Sequence, residues 1–256
     1  METTNERISI SSLNAYRRCK LFYYYRYCEG LVSPLDCAQI TGRAVHKTLE
    51  HFYKVKLQST GQNLPINDVL DIYSKAFEDI IDNEETNIEG EEMGKVKDTG
   101  AACLKLYHEQ IAIQTTPVLC EEKIELAFEN LPGVVLVGIV DLFDSSGTLH
   151  ETKVVKRSFP DDYILKGDDF QLCTYQLLLK HARHIEIKKL EVNAMIKTRE
   201  PKLQLLQAEP KTQAQLTRLL RLIGAINSSL KTGIFYPNPS PLNCYSCGFK
   251  KQCSEW

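Results

Sequence analysis

The chain has 256 residues, 43% of them hydrophobic and 25% charged, with a formal net charge of −2, a composition ordinary for a globular protein with ample core. No apolar run approaches the ~20 residues of a membrane helix, and the opening METTNERISIS has neither a basic nor an apolar leader region, so no membrane partner and a cytoplasmic location are expected. The net charge does not by itself suggest nucleic acid, but charge is uneven: residues 78–92 hold eight acids and no base, and residues 180–221 hold ten Lys/Arg against four Asp/Glu, an asymmetry that allows a basic patch for an anionic polymer.

In chain order, Ser11 or Ser12 can cap a short helix ending about Cys19. The aromatic LFYYYRY that follows suits an extended or packed segment. Residues 39–58 read as a helix with an apolar stripe at Val45, Leu49, Phe52 and Val55 or Lys56. Residues 67–81 and 95–114 are further helices, separated by the acidic, glycine-bearing stretch. From 117 the period changes to two: VLCEEKIELAFE alternates, GVVLVGIVDLFD is a buried strand, SSG is a turn and TLHETKVVK is the next strand. DDFQLCTYQLLLKHAR returns to helix and KKLEVNAMIKT to strand. TQAQLTRLLRLIGAINSSLKTG is an amphipathic helix closed by Gly233, and the proline-rich YPNPSPLN leads into the C-terminal cysteines. Helices, then a mainly antiparallel sheet, then helices make an α/β or α+β fold.

The turn carries the functional argument. A three-residue loop with Gly147 in the left-handed position pairs Asp144 with Thr148 and sets Asp141 opposite Glu151, with Lys153 on the same face. A two-residue turn would instead set Asp141 opposite Thr152. Two facing carboxylates cost up to ~1 kcal/mol, and a cation between them removes that cost. Hard divalent ions such as Mg²⁺ or Mn²⁺ take oxygen ligands of this kind. Lys153 would orient or deprotonate a water, or hold a phosphate oxygen.

The order GRAVH (Gly42–His46), GIVD (Gly138–Asp141), ETK (Glu151–Lys153) and QLCTY (Gln171–Tyr175) resembles the RecB-type branch of PD-(D/E)XK nucleases, from about Ser9 to Cys253. The resemblance implies a restriction-endonuclease-like core, a central mixed sheet flanked by helices. It implies a metal site of His46, Asp141, Glu151 and the Thr152 carbonyl, a catalytic Lys153, and Gln171 and Tyr175 one helical turn apart at the edge of the active site. The activity it implies is metal-dependent hydrolysis of DNA by one or two ions, as an exonuclease on single strands or ends. A second reading is a non-cleaving DNA-end-binding subunit of a helicase or integrase complex.

Nine cysteines, most of them scattered, argue against a disulfide framework and favour metal for a clustered set. Cys244, Cys247 and Cys253 supply three thiolates, one short of the four that a tetrahedral ion or cubane cluster takes. Cys19, at the end of the first helix, is the expected fourth, with Cys28 as an alternative. His181 and His184 are zinc-compatible, while Cys37, Cys103, Cys120 and Cys173 read as buried or free thiols. Spacing alone does not separate zinc from iron. The resemblance to iron–sulfur members of the branch, the AddB nuclease domain and the CRISPR-associated exonuclease of spacer acquisition, implies a [4Fe-4S] cluster stapling the first helix to the last loop. It also implies a setting in antiviral defence or DNA recombination and repair. The expected organisation is one nuclease domain over 1–256: the N-terminal helix and first cluster cysteine at 1–30, a helical region with the His motif at 31–115, the core at 116–200, and the C-terminal helix and cluster loop at 201–256.

Overall fold

Nine positions pair β2 (Pro117–Ala127) antiparallel along one edge of β3 (Val134–Asp144), the apolar run at the centre of the sequence. In the computed structural model, which describes residues 6–59, 61–129, 131–163 and 170–256, the other edge of β3 is shared by two strands. β1 (Glu6–Ser9) runs parallel beside Val134–Val137, and β4 (Thr148–Val155) pairs antiparallel with Leu142 and Phe143 alone. β4 then pairs parallel with β5 (Lys189–Ile196), and β5 antiparallel with β6 (Lys202–Ala208). The sheet is thus mixed, as the family resemblance implies: three pairs are antiparallel, in line with the strand pattern, and two are parallel, which that pattern does not reveal. Neither β1 nor β6 was legible. β1 is four residues long, and β6 (KLQLLQA) breaks its own alternation with two adjacent leucines.

The hairpin register follows from Asp144 and Gly147. The Asp144 Oδ1 accepts the backbone N–H of Ser146 and of Thr148, each at 2.9 Å, and Gly147 takes φ +88°, a left-handed conformation that costs glycine little. The resulting pairs, Leu142 with His150 and Phe143 with Leu149, are those of the three-residue loop. One step further, where the ladder stops, Asp141 stands across from Glu151. There the Thr152 N–H donates to Asp141 Oδ2 at 3.0 Å in place of a strand carbonyl, and a cleft opens between β3 and β4.

Helices cover the sheet in two groups, each with its own core. α1 (Ile10–Arg18), α6 (Phe170–Arg183) and α7 (Gln213–Leu230) pack on Leu136, Val140, Phe143, Leu149 and Val192. α3 (Cys37–Gln58), α4 (Ile66–Asn83) and α5 (Met93–Tyr107, continued by a π-helical turn at His108–Ala112) pack on Cys120, Leu142 and Met195. The cap of α1 is Ser9 rather than Ser11 or Ser12: its hydroxyl accepts the Ser12 N–H, and the Ser12 hydroxyl accepts the Ser9 N–H in return. The aromatic LFYYYRY is helical, not extended. It forms α2 (Lys20–Tyr23) and a π-helical turn (Tyr24–Cys28), with Tyr23 and Tyr27 stacked at 5.1 Å across one turn. Asp168 and Asp169, which open the expected helix DDFQLCTYQLLLKHAR, lie outside the described residues.

Gly138 lets α6 approach β3. A Cβ there would lie 2.5 Å from Leu178 Cδ1 and 3.3 Å from the Tyr175 ring, and both side chains are buried. Gly138→Ala is expected to destabilise the protein by about 1–3 kcal/mol through overpacking, measured by urea unfolding, while shifting Tyr175 away from the cleft.

The chain ends meet, but not through a metal cluster. Cys19, Cys244, Cys247 and Cys253 line one small pocket of about 40 Å³ with Leu21, Phe22, Tyr25 and Phe249. No three of their sulfur atoms come within 4.8 Å of one another, and among the described residues the metal-capable grouping contains no cysteine. All nine cysteines are free. Burial, together with the neighbouring Cys19, Cys247 and Cys244, pushes the Cys253 thiol up. The staple is built instead from amide hydrogen bonds. The Asn243 side-chain amide donates to the carbonyls of Arg18 (2.9 Å) and Asn238 (3.0 Å), and the Asn238 amide donates to Arg18 O at 3.0 Å. The Asn238 N–H donates to Cys19 Sγ at 3.3 Å, and Phe249 packs against Phe22 and Tyr25. The expected C-terminal iron–sulfur loop is therefore replaced by α8 (Pro241–Cys244) and α9 (Lys250–Ser254), held by asparagine and aromatic contacts.

Candidate active site

Three elements deliver side chains to the cleft where β3 and β4 part. α3 starts firmly, because Asp36 and Gln39 form a reciprocal cap, and it presents His46 to the sheet. His46 Nδ1 lies 3.3 Å from Glu121 Oε1 and 3.8 Å from Asp141 Oδ2, while Nε2 lies 3.1 Å from the Thr152 carbonyl. With acceptors at both ring nitrogens, the imidazole carries its second proton. Burial works to lower its pKa, but the bond to Glu121 and the charges of Asp141, Glu121 and Glu151 raise it to about 9. In the metal-free protein a proton on Nδ1 thus occupies the place a metal ion would take among these carboxylates.

His46, Glu121 and Asp141 each bring a ligand atom within 4.8 Å of the others. With Thr152 they border a cavity of about 10 Å³, the scale of a single water or small ion. The Thr152 carbonyl, expected as a ligand, sits here on the far ring nitrogen, where it fixes the ring. Glu151 does not belong to the triad. It is 2% exposed; its Oε1 accepts from Lys153 Nζ at 2.9 Å, and its Oε2 is buried without a hydrogen-bond partner. Burial and the charge of Asp141 push Glu151 up to about 8 against the pull of Lys153. Burial raises Asp141, His46 pulls it back and Glu121 raises it again, to about 6. Five groups, three carboxyls against His46 and Lys153, thus share a partly buried site with too little positive charge.

Lys153 is held from two sides, by Glu151 and by the Gln171 Oε1 at 3.2 Å, and Gln171 Nε2 donates to the Tyr175 hydroxyl at 2.9 Å. One turn of α6 thereby links the lysine to a tyrosine that is itself buried.

Glu121 went unnoticed in the sequence. It sits in β2 with φ +46°, a left-handed conformation rare for a side chain of this size. The alternation of the sheet breaks at this point. Cys120 packs in the α3–α5 core, whereas Ile124, an even number of residues on, packs in the α1–α6–α7 core. On β3, Leu142 and Val140 divide in the same way. The pleat therefore changes face at Glu121 and Asp141, turning both carboxylates into the cleft. A signal was present: the doublet Glu121-Glu122 places acids on both faces of a strand, so one of them had to point inward.

The sequence profile of the PD-(D/E)XK nuclease superfamily matches residues 7–254. The chain belongs to this superfamily. Membership carries nuclease-type hydrolase activity in general and is consistent with DNA as partner. A crystal structure of a candidate exonuclease from Eubacterium rectale shares the fold at a TM-score of 0.59 and 13% identity, covering 97% of this chain and 90% of that one. The structure of SSO0001, at 14% identity over 95% of each chain, has a TM-score of 0.37, too low to bear on the argument. No curated protein matches. No helix among the described residues is long and apolar enough to cross a membrane.

Within the superfamily, the narrower resemblance to its four-cysteine members does not hold. The metal-capable group is His46, Glu121 and Asp141, not Cys19, Cys244, Cys247 and Cys253. The [4Fe-4S] cofactor falls with it, as do the AddB-like and CRISPR-associated assignments and the antiviral setting, which rested on that cluster.

Proposed function

We propose that this superfamily member hydrolyses phosphodiester bonds in DNA as an exonuclease on single strands or ends, with a divalent metal ion held by His46, Glu121 and Asp141. The observation that carries the reading is the buried Glu151 Oε2 without a partner, beside three ligand groups that crowd a cavity of ionic size. Buried charge persists only when compensated, and the donor set of carboxylates and one imidazole suits a hard or borderline divalent ion. Such an ion would supply Lewis-acid stabilisation of the phosphoryl group and a lowered pKa for bound water.

The residues of the chain do the rest. Lys153, fixed by Glu151 and Gln171, offers its ammonium to a non-bridging phosphate oxygen, where negative charge grows during attack. Glu151, buried behind the lysine, fixes its ammonium at 2.9 Å. Tyr175 and Gln171 hold the lysine in place. The E. rectale candidate exonuclease, alike along nearly its whole length, agrees with this reading.

The test uses single-stranded and duplex DNA labelled at the 5′ or 3′ end, with Mg²⁺ or Mn²⁺ and with chelator. Lys153→Ala and Asp141→Ala are expected to lower the cleavage rate by about 10²–10³. Glu121→Gln is expected to weaken Mn²⁺ binding in a calorimetric titration as well. Undiminished cleavage by Lys153→Ala, or cleavage by the wild type in chelator, ends the proposal.

A further inference from the structure

A second concavity lies away from the metal-capable cleft. It is a groove of about 750 Å³ between the N-terminal helices, the start of α3 and the C-terminal segment. Arg18, Arg26, Lys250 and Lys251 line it, against a single acid, Asp36. Asp36 is committed to the cap of α3 through the Gln39 N–H at 2.8 Å. The acidic stretch 78–92 contributes only the neutral Asn87 to the lining. Aromatic rings stand among the cations: Tyr245 is 88% exposed, and the Arg18 guanidinium lies over Phe22 at 5.0 Å. Basic groups beside an exposed tyrosine suit a single-stranded nucleic acid, whose phosphates meet the cations and whose bases stack.

α3 joins this groove to the catalytic cleft. Gln39 lines the groove, and Gln39, Gly42, Arg43 and His46 fall on one face of the helix. At 1.5 Å per residue, Gln39 and His46 are about 10 Å apart along the axis, a span of a few nucleotides. Arg43 leans away to pair with Glu84. At Gly42 a Cβ would meet nothing within 4 Å. The glycine is therefore not required by packing within the protein; what it leaves is a bare strip of helix between groove and site.

We infer that a single nucleic-acid strand is held in the Arg18–Arg26–Lys250–Lys251 groove and passes over Gly42 to His46. The destination of the strand rests on the proposed nuclease reading; binding in the groove does not.

The experiment therefore separates the two. Binding of a fluorescent 20-nucleotide single strand is measured by anisotropy in chelator, across a salt series, for the wild-type chain, the double variant R26E/K251E, and a charge control, Lys75→Glu, an exposed residue of α4. The double variant is expected to bind at least about tenfold more weakly. Its log-affinity against log-salt slope should be shallower by about 1.4, the value for two lost phosphate contacts on a single strand. The control should match the wild type. Equal binding by the double variant and the control, no binding by the wild type, or equal competition by polyglutamate overturns the groove. Gly42→Leu tests the path: it is expected to bind the strand as the wild type does and to melt no lower, yet to cleave at least tenfold more slowly with Mn²⁺. Wild-type cleavage rates in Gly42→Leu overturn the path. Absence of cleavage in the wild type, with binding intact, counts against the nuclease reading alone.

Discussion

Glu151→Gln is expected to abolish DNA cleavage, by about a thousandfold, and at the same time to make the metal-free protein more stable at pH 8. Both effects have one cause. A fully buried carboxyl beside Asp141, held up to about 8, keeps its proton in the folded state over a range where the unfolded chain has released it. The folded protein then binds more protons than the unfolded one, so stability falls as pH rises from about 4.5 to about 8. Asp141, held up to about 6, adds a like-signed slope below that. The accumulated penalty at pH 8 amounts to several kcal/mol, and glutamine removes the part owed to Glu151 while keeping its shape. A divalent cation should do the same for the wild type, raising the melting temperature at pH 8 more than at pH 5. Differential scanning fluorimetry at both pH values, with and without Mn²⁺, reads this directly. A Glu151→Gln protein less stable than the wild type in chelator at pH 8 would show that the site is not charge-frustrated. The ordinary trade of stability for function would then not describe it.

How much of this was legible depended on whether local rules held. The hairpin was readable because Asp144 and Gly147 determine the turn through local hydrogen bonds and a glycine conformation, and the turn determines the register. His46, Asp141, Glu151 and Lys153 could be named because spaced motifs carry them, and the fold does bring them to one cleft. Glu121 was hidden because its strand obeys period two only up to the residue that breaks it. The cysteines misled for a different reason. Four of them do converge on one pocket, so spacing gave neighbourhood correctly, but sulfur-to-sulfur distance is a tertiary quantity that spacing does not contain. The parallel pairs β1–β3 and β4–β5 were likewise out of reach, because each depends on partners far apart in the chain.

His150→Leu is expected to cost about 3–5 kcal/mol in urea unfolding at pH 6, a larger loss than most single core changes give. His150 neighbours Glu151 on β4 but points to the other face, where its Nε2 lies 3.0 Å from Asp144 Oδ2 and its Nδ1 lies 3.1 Å from Glu191 Oε1. All three residues are buried. Burial opposes the charged imidazole, but the two carboxylates outweigh it and raise its pKa. Burial would raise Asp144 as well, yet His150, Ser146 and the Thr148 N–H bring it down to about 2, and His150 and Gln207 lower Glu191. The signs fix the pH window. The raised histidine contributes fully below about 6.5 and its share is lost as pH rises through its folded value. The lowered acids contribute above about 4.5 and lose theirs as pH falls. Leucine leaves two buried carboxylates facing each other without a cation, which is what makes breaking such a cluster expensive. The deficit should shrink toward pH 4 as the acids take up protons. The triple variant D144N/H150L/E191Q should recover most of it, since an asparagine side chain in place of Asp144 can still close the turn. If His150→Leu unfolds at the wild-type urea concentration at pH 6, the cluster does not brace β4, and the position of Glu151 rests on the sheet alone.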